Sequence, residues 1–332
     1  MDKDILIQTV TRLMTEPKGI LAIDESMPTC NKRFEKLGVA TTEENRRDYR
    51  DLLITAPDIE KYISGYILFD ETTRQETKNG RSFVSVLRER GIEPGIKVDG
   101  GLADFPEHEG EKITKGLDGL EERLKEYSQM KLTFAKWRAV YTIGEKTPSE
   151  DCMIENAKLF AQYAMLCQSA GIVPIVEPEV LIDGDHSIKK CYEVTAKNLQ
   201  IVFSELKKAG VLISGMVLKT SMVISGKDCA EQSSPDEVAE MTLKCLRENV
   251  PAQIGGIVFL SGGQSDEQAA LNLNAMHKKG PLPWFLTFSY GRAIQNPALK
   301  AWAANPSDIE KAQALLLEAA RNNSLASVGK YK

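Results

Sequence analysis

Lys219 closes the apolar run Gly215-Met216-Val217-Leu218 and is followed by Thr220-Ser221. A short apolar run bounded by glycine reads as a buried strand, which puts the amine at the strand's C-terminal end. A lysine there either snorkels to water or serves as a nucleophile. Beside other cations its neutral fraction rises, and a neutral amine attacks carbonyl carbon. The ends of the other candidate strands favour the second reading, because they collect Asp24, Lys97, Lys136, Arg138, Glu177, Glu179, Ser261 and Arg292. Lys136 and Arg138 are two apart, so in a strand they share one face. With Lys97 they are expected to crowd Lys219 and disfavour its protonation. Glu177 and Glu179 are the natural proton carriers. Like charges raise a carboxyl pKa and cations lower it, so the residues leave open which of the two transfers protons.

A second chemistry sits at the last two strand ends. Ser261-Gly262-Gly263 exposes backbone N–H groups in a glycine turn, and Ser289-Tyr290-Gly291-Arg292 adds hydroxyls and a guanidinium. Donors of this kind cradle a phosphate. Thr29, Lys32 and Arg33 form another cationic cluster near the first strand, and two separated anion sites suit a bisphosphate. A metal is not expected, because His108, His186 and His277 lie far apart without ligand spacing. His108 falls in a solvated loop or small hairpin at 104–110, and His186 in a turn that leads into a helix.

The elements that must position these groups repeat one grammar. A helical stretch closes on glycine, a short apolar strand follows, and a charged or small polar residue ends it. Candidate strands fall at 19–23, 65–69, 95–98, 134–138, 172–176, 215–219, 256–260 and 284–288. Thr41 with Glu44, Ser234 with Glu237, Ser265 with Gln268 and Ser307 with Glu310 fit capping boxes. Gly91, Gly171, Gly210 and Gly280 stand where helices should stop. Eight such units predict right-handed βαβ connections closing into a (β/α)8 TIM barrel, in which catalytic groups gather at the C-terminal strand ends. No linker or composition shift divides the chain, so residues 1–332 are expected to form one domain. A net charge of −5 excludes a basic field for nucleic acid or a membrane surface. No apolar run approaches a membrane span and no signal-peptide pattern opens the chain. Six scattered cysteines without a CxxC pair read as reduced thiols in a cytoplasmic setting.

The chain resembles the Schiff-base-forming, class I fructose-bisphosphate aldolases over almost its whole length. The resemblance is carried by residues 19–26, 42–47 and 95–99, Phe134-Ala135-Lys136-Trp137-Arg138, 173–179, the Lys219 strand, 259–264 and 286–292. It implies a cofactor-free lyase that cleaves fructose 1,6-bisphosphate reversibly to dihydroxyacetone phosphate and glyceraldehyde 3-phosphate. In that family the counterpart of Lys219 forms the imine and that of Glu177 handles protons during carbinolamine dehydration. Asp24 would assist cleavage at the C4 hydroxyl, and Lys136 would stabilise charged intermediates. Ser261, Gly262, Gly263, Ser289 and Arg292 would hold one phosphate, with Lys97, Arg138, Lys32 and Arg33 at the other end of the substrate. A homo-oligomer, commonly a tetramer, is also implied. The rival readings are a preference for sedoheptulose 1,7-bisphosphate or fructose 1-phosphate, or a non-catalytic barrel. Two departures stand out. Met27-Pro28-Thr29-Cys30 replaces a small glycine- and serine-rich loop. Gly329-Lys330-Tyr331-Lys332 matches the segment before the tail whose tyrosine visits the active site in animal enzymes. Tyr331 is therefore expected on the barrel exterior, with carbon protonation limiting turnover.

Overall fold

The computed structural model describes residues 2–332. Eight parallel strands close in the order β1-β10-β9-β8-β7-β6-β3-β2. They are β1 (Gly19–Ala22), β2 (Ile63–Leu68), β3 (Glu93–Lys97), β6 (Phe134–Tyr141), β7 (Val173–Val180), β8 (Val217–Thr220), β9 (Gly256–Phe259) and β10 (Leu286–Tyr290). A small antiparallel hairpin, β4 (Leu102–Asp104) and β5 (Lys112–Thr114), follows β3. The (β/α)8 barrel expected from the strand–helix–glycine grammar is the fold of the chain.

Two apolar cores lie on either side of the strands. The inner one gathers Ile20, Ala22, Ile67, Phe134, Val173, Ile175, Val217 and Val258. Leu6, Val10 and Leu13 of the helix Lys3–Leu13 join this inner core, so that helix plugs the N-terminal mouth. Gly95 makes room for the Phe134 ring, since a Cβ at 95 would lie 2.3 Å from the ring carbons. The alternate strand residues face outward against the helices. Period-two alternation then decides which polar residues look into the barrel above the apolar layer: Lys136, Arg138, Glu177, Glu179 and Lys219.

The structure corrects several boundaries. β7 runs through Glu177-Pro178-Glu179 instead of stopping at Val176. The charged Glu177 suggested a strand end, and the two prolines do not interrupt the strand, because their missing N–H groups fall where no bond is needed. Val173 donates to the Thr133 carbonyl and Leu181 to that of Tyr141, both toward β6. By alternation the even-numbered residues face β8, which pairs with β7 only at Ile175 and Val176. Pro174 and Pro178 flank that short ladder. β10 likewise starts later and takes in Ser289 and Tyr290. Ser234 and Glu237 form the reciprocal capping box, and Ser265 caps through the Gln268 amide. The other two caps move by one residue, to Thr42 and Asp308. Gly91, Gly171, Gly210 and Gly280 all adopt positive φ. Met27-Pro28-Thr29-Cys30 opens the helix Met27–Glu35 rather than forming a loop, with proline tolerated in the first turn. The last helix spans Ile309–Ala326. All six cysteines are free, and among the described residues no helix is long and apolar enough to cross a membrane.

Candidate active site

The C-terminal rim encloses a pocket of about 430 Å³. Its floor is a chain of alternating charges. Asp24, two residues past β1, contacts Lys136 at 2.8 Å. Lys136 contacts Glu177 at 3.1 Å, and Glu177 contacts Lys219 at 3.1 Å through its other oxygen. Lys136, Glu177 and Lys219 are each 4 % exposed or less. Charges so buried persist only when paired, and this sequence of partners supplies the pairing. Burial pushes the Asp24 carboxyl up, but Lys136, Lys219 and Lys97 outweigh it and hold it at about 2. Burial also raises Glu177, and Lys136, Lys219 and Arg138 bring it below the usual carboxylate range. For Lys136 burial works toward the neutral amine, yet Asp24, Glu177 and Asp99 drive its pKa above the ordinary value. Both carboxylates are thus ionised and Lys136 is protonated at neutral pH.

Glu177 and Glu179 now part company. Glu179 forms an ion pair with Arg138, while Glu177 alone touches the Lys219 amine. The crowd of bare cations expected around Lys219 is therefore an alternation, with Glu177 set between two lysines. Lys97 neighbours Lys136 in register and is held by the Asp99 side chain and carbonyl, the latter at 2.9 Å.

The residues expected to form a phosphate cradle come together at the rim, with two exceptions. Ser261, Gly262, Ser289, Gly291 and Arg292 line the pocket. Gly262 and Gly263 take φ of 56° and 94°, consecutive left-handed residues of the kind that turn backbone N–H groups toward an anion. Gly263 itself stands behind Gly262 and outside the lining. Tyr290 is the clearer correction. One residue after inward-facing Ser289, it points outward and donates its hydroxyl to the Ala269 carbonyl at 3.1 Å. Ser289 Oγ is buried and has no hydrogen-bond partner among the described residues, so it is free for a ligand. Arg292 opens the helix Arg292–Ala304, whose N-terminal dipole favours the same anion.

The second cluster lines the wall beside the cradle, on the helix that follows β1, the strand paired with β10. Thr29, Lys32 and Arg33 all reach the pocket from the helix Met27–Glu35, joined by Ser26, Glu25 and Lys36. Sequence reading missed the last three. Lys36 was findable, since it follows Lys32 by four and Arg33 by three and so shares their helix face. Glu25 was not, because its role is to pair with Arg33 and Arg50 across elements. The lining holds eight cations against four carboxylates, a positive well in a chain whose net charge is −5.

Other candidates lie elsewhere. His108 stacks on Phe105 in the hairpin loop and faces Glu111 at 3.4 Å. His186 precedes the Ser187 cap of the helix Ile188–Lys208. Among the described residues no group of histidine, cysteine and carboxylate side chains has the arrangement of a metal site. Tyr331 is bonded through its backbone to Asn274, at 3.0 and 3.1 Å, and packs on the outer core away from the rim.

Fold and rim together define a barrel enzyme with its reactive groups at the C-terminal strand ends. The family model "Fructose-bisphosphate aldolase class-I" matches residues 5–332. A Xanthomonas campestris protein named probable fructose-bisphosphate aldolase class 1 is 53% identical over 333 residues, covering 100% of both chains. The Arabidopsis thaliana fructose-bisphosphate aldolase 5, cytosolic, is 50% identical over 99% of this chain and 92% of its own. Among solved structures, the fructose-bisphosphate aldolase of Plasmodium falciparum, in complex with TRAP and a small-molecule inhibitor, superposes with a TM-score of 0.98. It shares 46% identity over 99% of this chain and 95% of that one. The chain belongs to the class-I fructose-bisphosphate aldolase family, whose members are carbon–carbon lyases.

Proposed function

We propose that the chain cleaves fructose 1,6-bisphosphate reversibly through an imine on Lys219. The observation that carries this reading is the buried Asp24–Lys136–Glu177–Lys219 chain on the floor of a cationic pocket. The Lys219 amine attacks the C2 carbonyl to give a carbinolamine. Glu177, ionised and in contact with that amine, takes the proton Lys219 sheds as it becomes nucleophilic and then delivers it to the carbinolamine hydroxyl, which leaves as water. Its proton affinity rises at this stage, because Lys219 loses its charge and phosphate oxygens enter the well. The resulting iminium is the electron sink for cleavage. Asp24 accepts the C4 hydroxyl proton as the C3–C4 bond breaks, and its electrons pass into the iminium to form an enamine. Lys136, fixed between Asp24 and Glu177, offsets the negative charge that develops. Protonation of the enamine at carbon and hydrolysis release dihydroxyacetone phosphate.

Ser261, the Gly262 backbone, Ser289 and Arg292 hold the phosphate nearest the imine carbon. Lys32, Arg33, Lys97 and Arg138 serve the distal end. We further propose one working domain over residues 1–332, a homo-oligomeric state and a cytoplasmic location. The test is cleavage of fructose 1,6-bisphosphate, fructose 1-phosphate and sedoheptulose 1,7-bisphosphate in EDTA. The expected result is undiminished cleavage with the highest kcat/KM on fructose 1,6-bisphosphate. Activity lost in EDTA and restored by zinc contradicts the imine route, and a higher kcat/KM on another ketose moves the substrate assignment.

A further inference from the structure

Among the buried polar groups that the functional reading leaves without a task, Gln295 lies on the site's own helix. Gln295 is wholly buried, one turn after Arg292 in the helix Arg292–Ala304. A buried amide is costly unless satisfied, and this one is satisfied by three different elements. Its Oε1 accepts from Tyr49 Oη at 2.9 Å and from Arg33 Nη1 at 3.0 Å. Its Nε2 donates to the Ala22 carbonyl on β1 at 2.5 Å. Arginine has no acceptor, so the Arg33 contact alone fixes which end of the amide is oxygen. The next residue, Asn296, accepts from Arg33 Nη2 at 3.2 Å.

These contacts determine what Arg33 has left to offer. A guanidinium carries five N–H donors in a rigid plane. Two on Nη1 go to Glu25 and Gln295, and one on Nη2 goes to Asn296. The Nε–H and the second Nη2–H have no partner among the described residues. Nε and Nη2 share one edge of the plane, and that edge grips two oxygens of one phosphate. Glu25 takes part of the positive charge, but Arg50 contacts the same carboxylate at 3.0 Å, so the cluster of two guanidiniums and one carboxylate stays cationic.

We infer that Gln295 and Asn296 are positioning residues that hold the Arg33 edge toward the phosphate distal to the imine. One helix then serves both ends of the substrate, through Arg292 directly and through Arg33 by way of these two amides. The inference rests on the functional reading above, which assigns the distal phosphate to this wall. It separates from a merely structural role because fructose 1-phosphate lacks that phosphate.

The experiment compares KM and kcat on fructose 1,6-bisphosphate and fructose 1-phosphate for Gln295→Met, Asn296→Leu and Asn296→Asp. Gln295→Met and Asn296→Leu are expected to raise KM for the bisphosphate about tenfold. Their KM for fructose 1-phosphate should stay within about twofold, with kcat on both substrates within about threefold. Asn296→Asp keeps the acceptor and should recover most of the lost affinity. The Asn296 pair decides the matter should Gln295→Met fail to fold. Equal rises in KM on both substrates, or a bisphosphate KM unchanged in Asn296→Leu, overturn the positioning role while the functional reading stands. Failure of the unsubstituted chain to cleave fructose 1,6-bisphosphate overturns that reading, and this inference with it.

Discussion

Asp24 and Glu177 owe their ionised state to the same two lysines, and each therefore carries a separate prediction. Asp24 titrates at about 2 in the folded chain against an ordinary 3.8. The folded value is the lower one, so the native state binds fewer protons than the unfolded state across that interval. Ionised Asp24 stabilises the fold in full above pH 3.8, and this contribution is lost as pH falls through about 2. It amounts to about 2 kcal/mol. Denaturant unfolding of the chain and of Asp24→Asn should give a stability gap that is constant near neutrality and narrows across this acid window. A gap independent of pH would mean that Lys136 does not hold the carboxylate. Glu177 is placed to move a proton rather than to anchor substrate. Glu177→Gln should lower kcat by about 10²–10⁴ with little change in KM, and steady-state kinetics with undiminished kcat would shift the role to Glu179.

Among the elements, what repeats was legible in the sequence. Glycine stops and apolar runs located all eight barrel strands, and the residues ending those runs supplied nearly the whole rim. What failed was local. β7 looked finished at Val176 because a charged residue follows it, yet here the carboxylates of Glu177 and Glu179 face a polar well, and the prolines flank a two-residue ladder. Tyr290 looked like a phosphate ligand because it stands between Ser289 and Gly291. Strict alternation from Ser289 would have turned it outward, where the structure finds it. Gln295 was invisible, since its partners come from β1 and from two helices far away in sequence. Packing inside the barrel gives this scale its own test. Gly95→Ala would bring a Cβ within 2.3 Å of the Phe134 ring, inside the apolar layer two residues below Lys97 and Lys136. Overpacking of that kind should destabilise by about 1–3 kcal/mol and leave KM unaltered. Thermal unfolding with an unchanged midpoint would show that the ring has room to move.

As a whole the molecule opposes its own site. The chain carries a net charge of −5, while the pocket lining sets eight cations against four carboxylates. The helix Lys3–Leu13 closes the other mouth with Leu6, Val10 and Leu13, leaving the rim as the way in. A focused positive well draws a multiply charged anion, and salt screens it. KM for fructose 1,6-bisphosphate should rise with ionic strength between about 0.02 and 0.2 M, where the Debye length shortens from roughly 20 to 7 Å, while kcat stays level. A KM indifferent to salt would show that the excess charge is spent on internal pairs.

The account turns on Lys219 as the residue that becomes covalently attached to substrate. Borohydride reduction in the presence of dihydroxyacetone phosphate, followed by peptide mass mapping, tests this most directly. Reduction should fix the three-carbon unit on Lys219 alone, because among the described residues Lys219 pairs with Glu177 only, whereas Lys136 is held protonated between Asp24 and Glu177. Attachment at Lys136 or Lys97 with Lys219 unmodified, or no attachment at all by a chain that cleaves substrate, would contradict it.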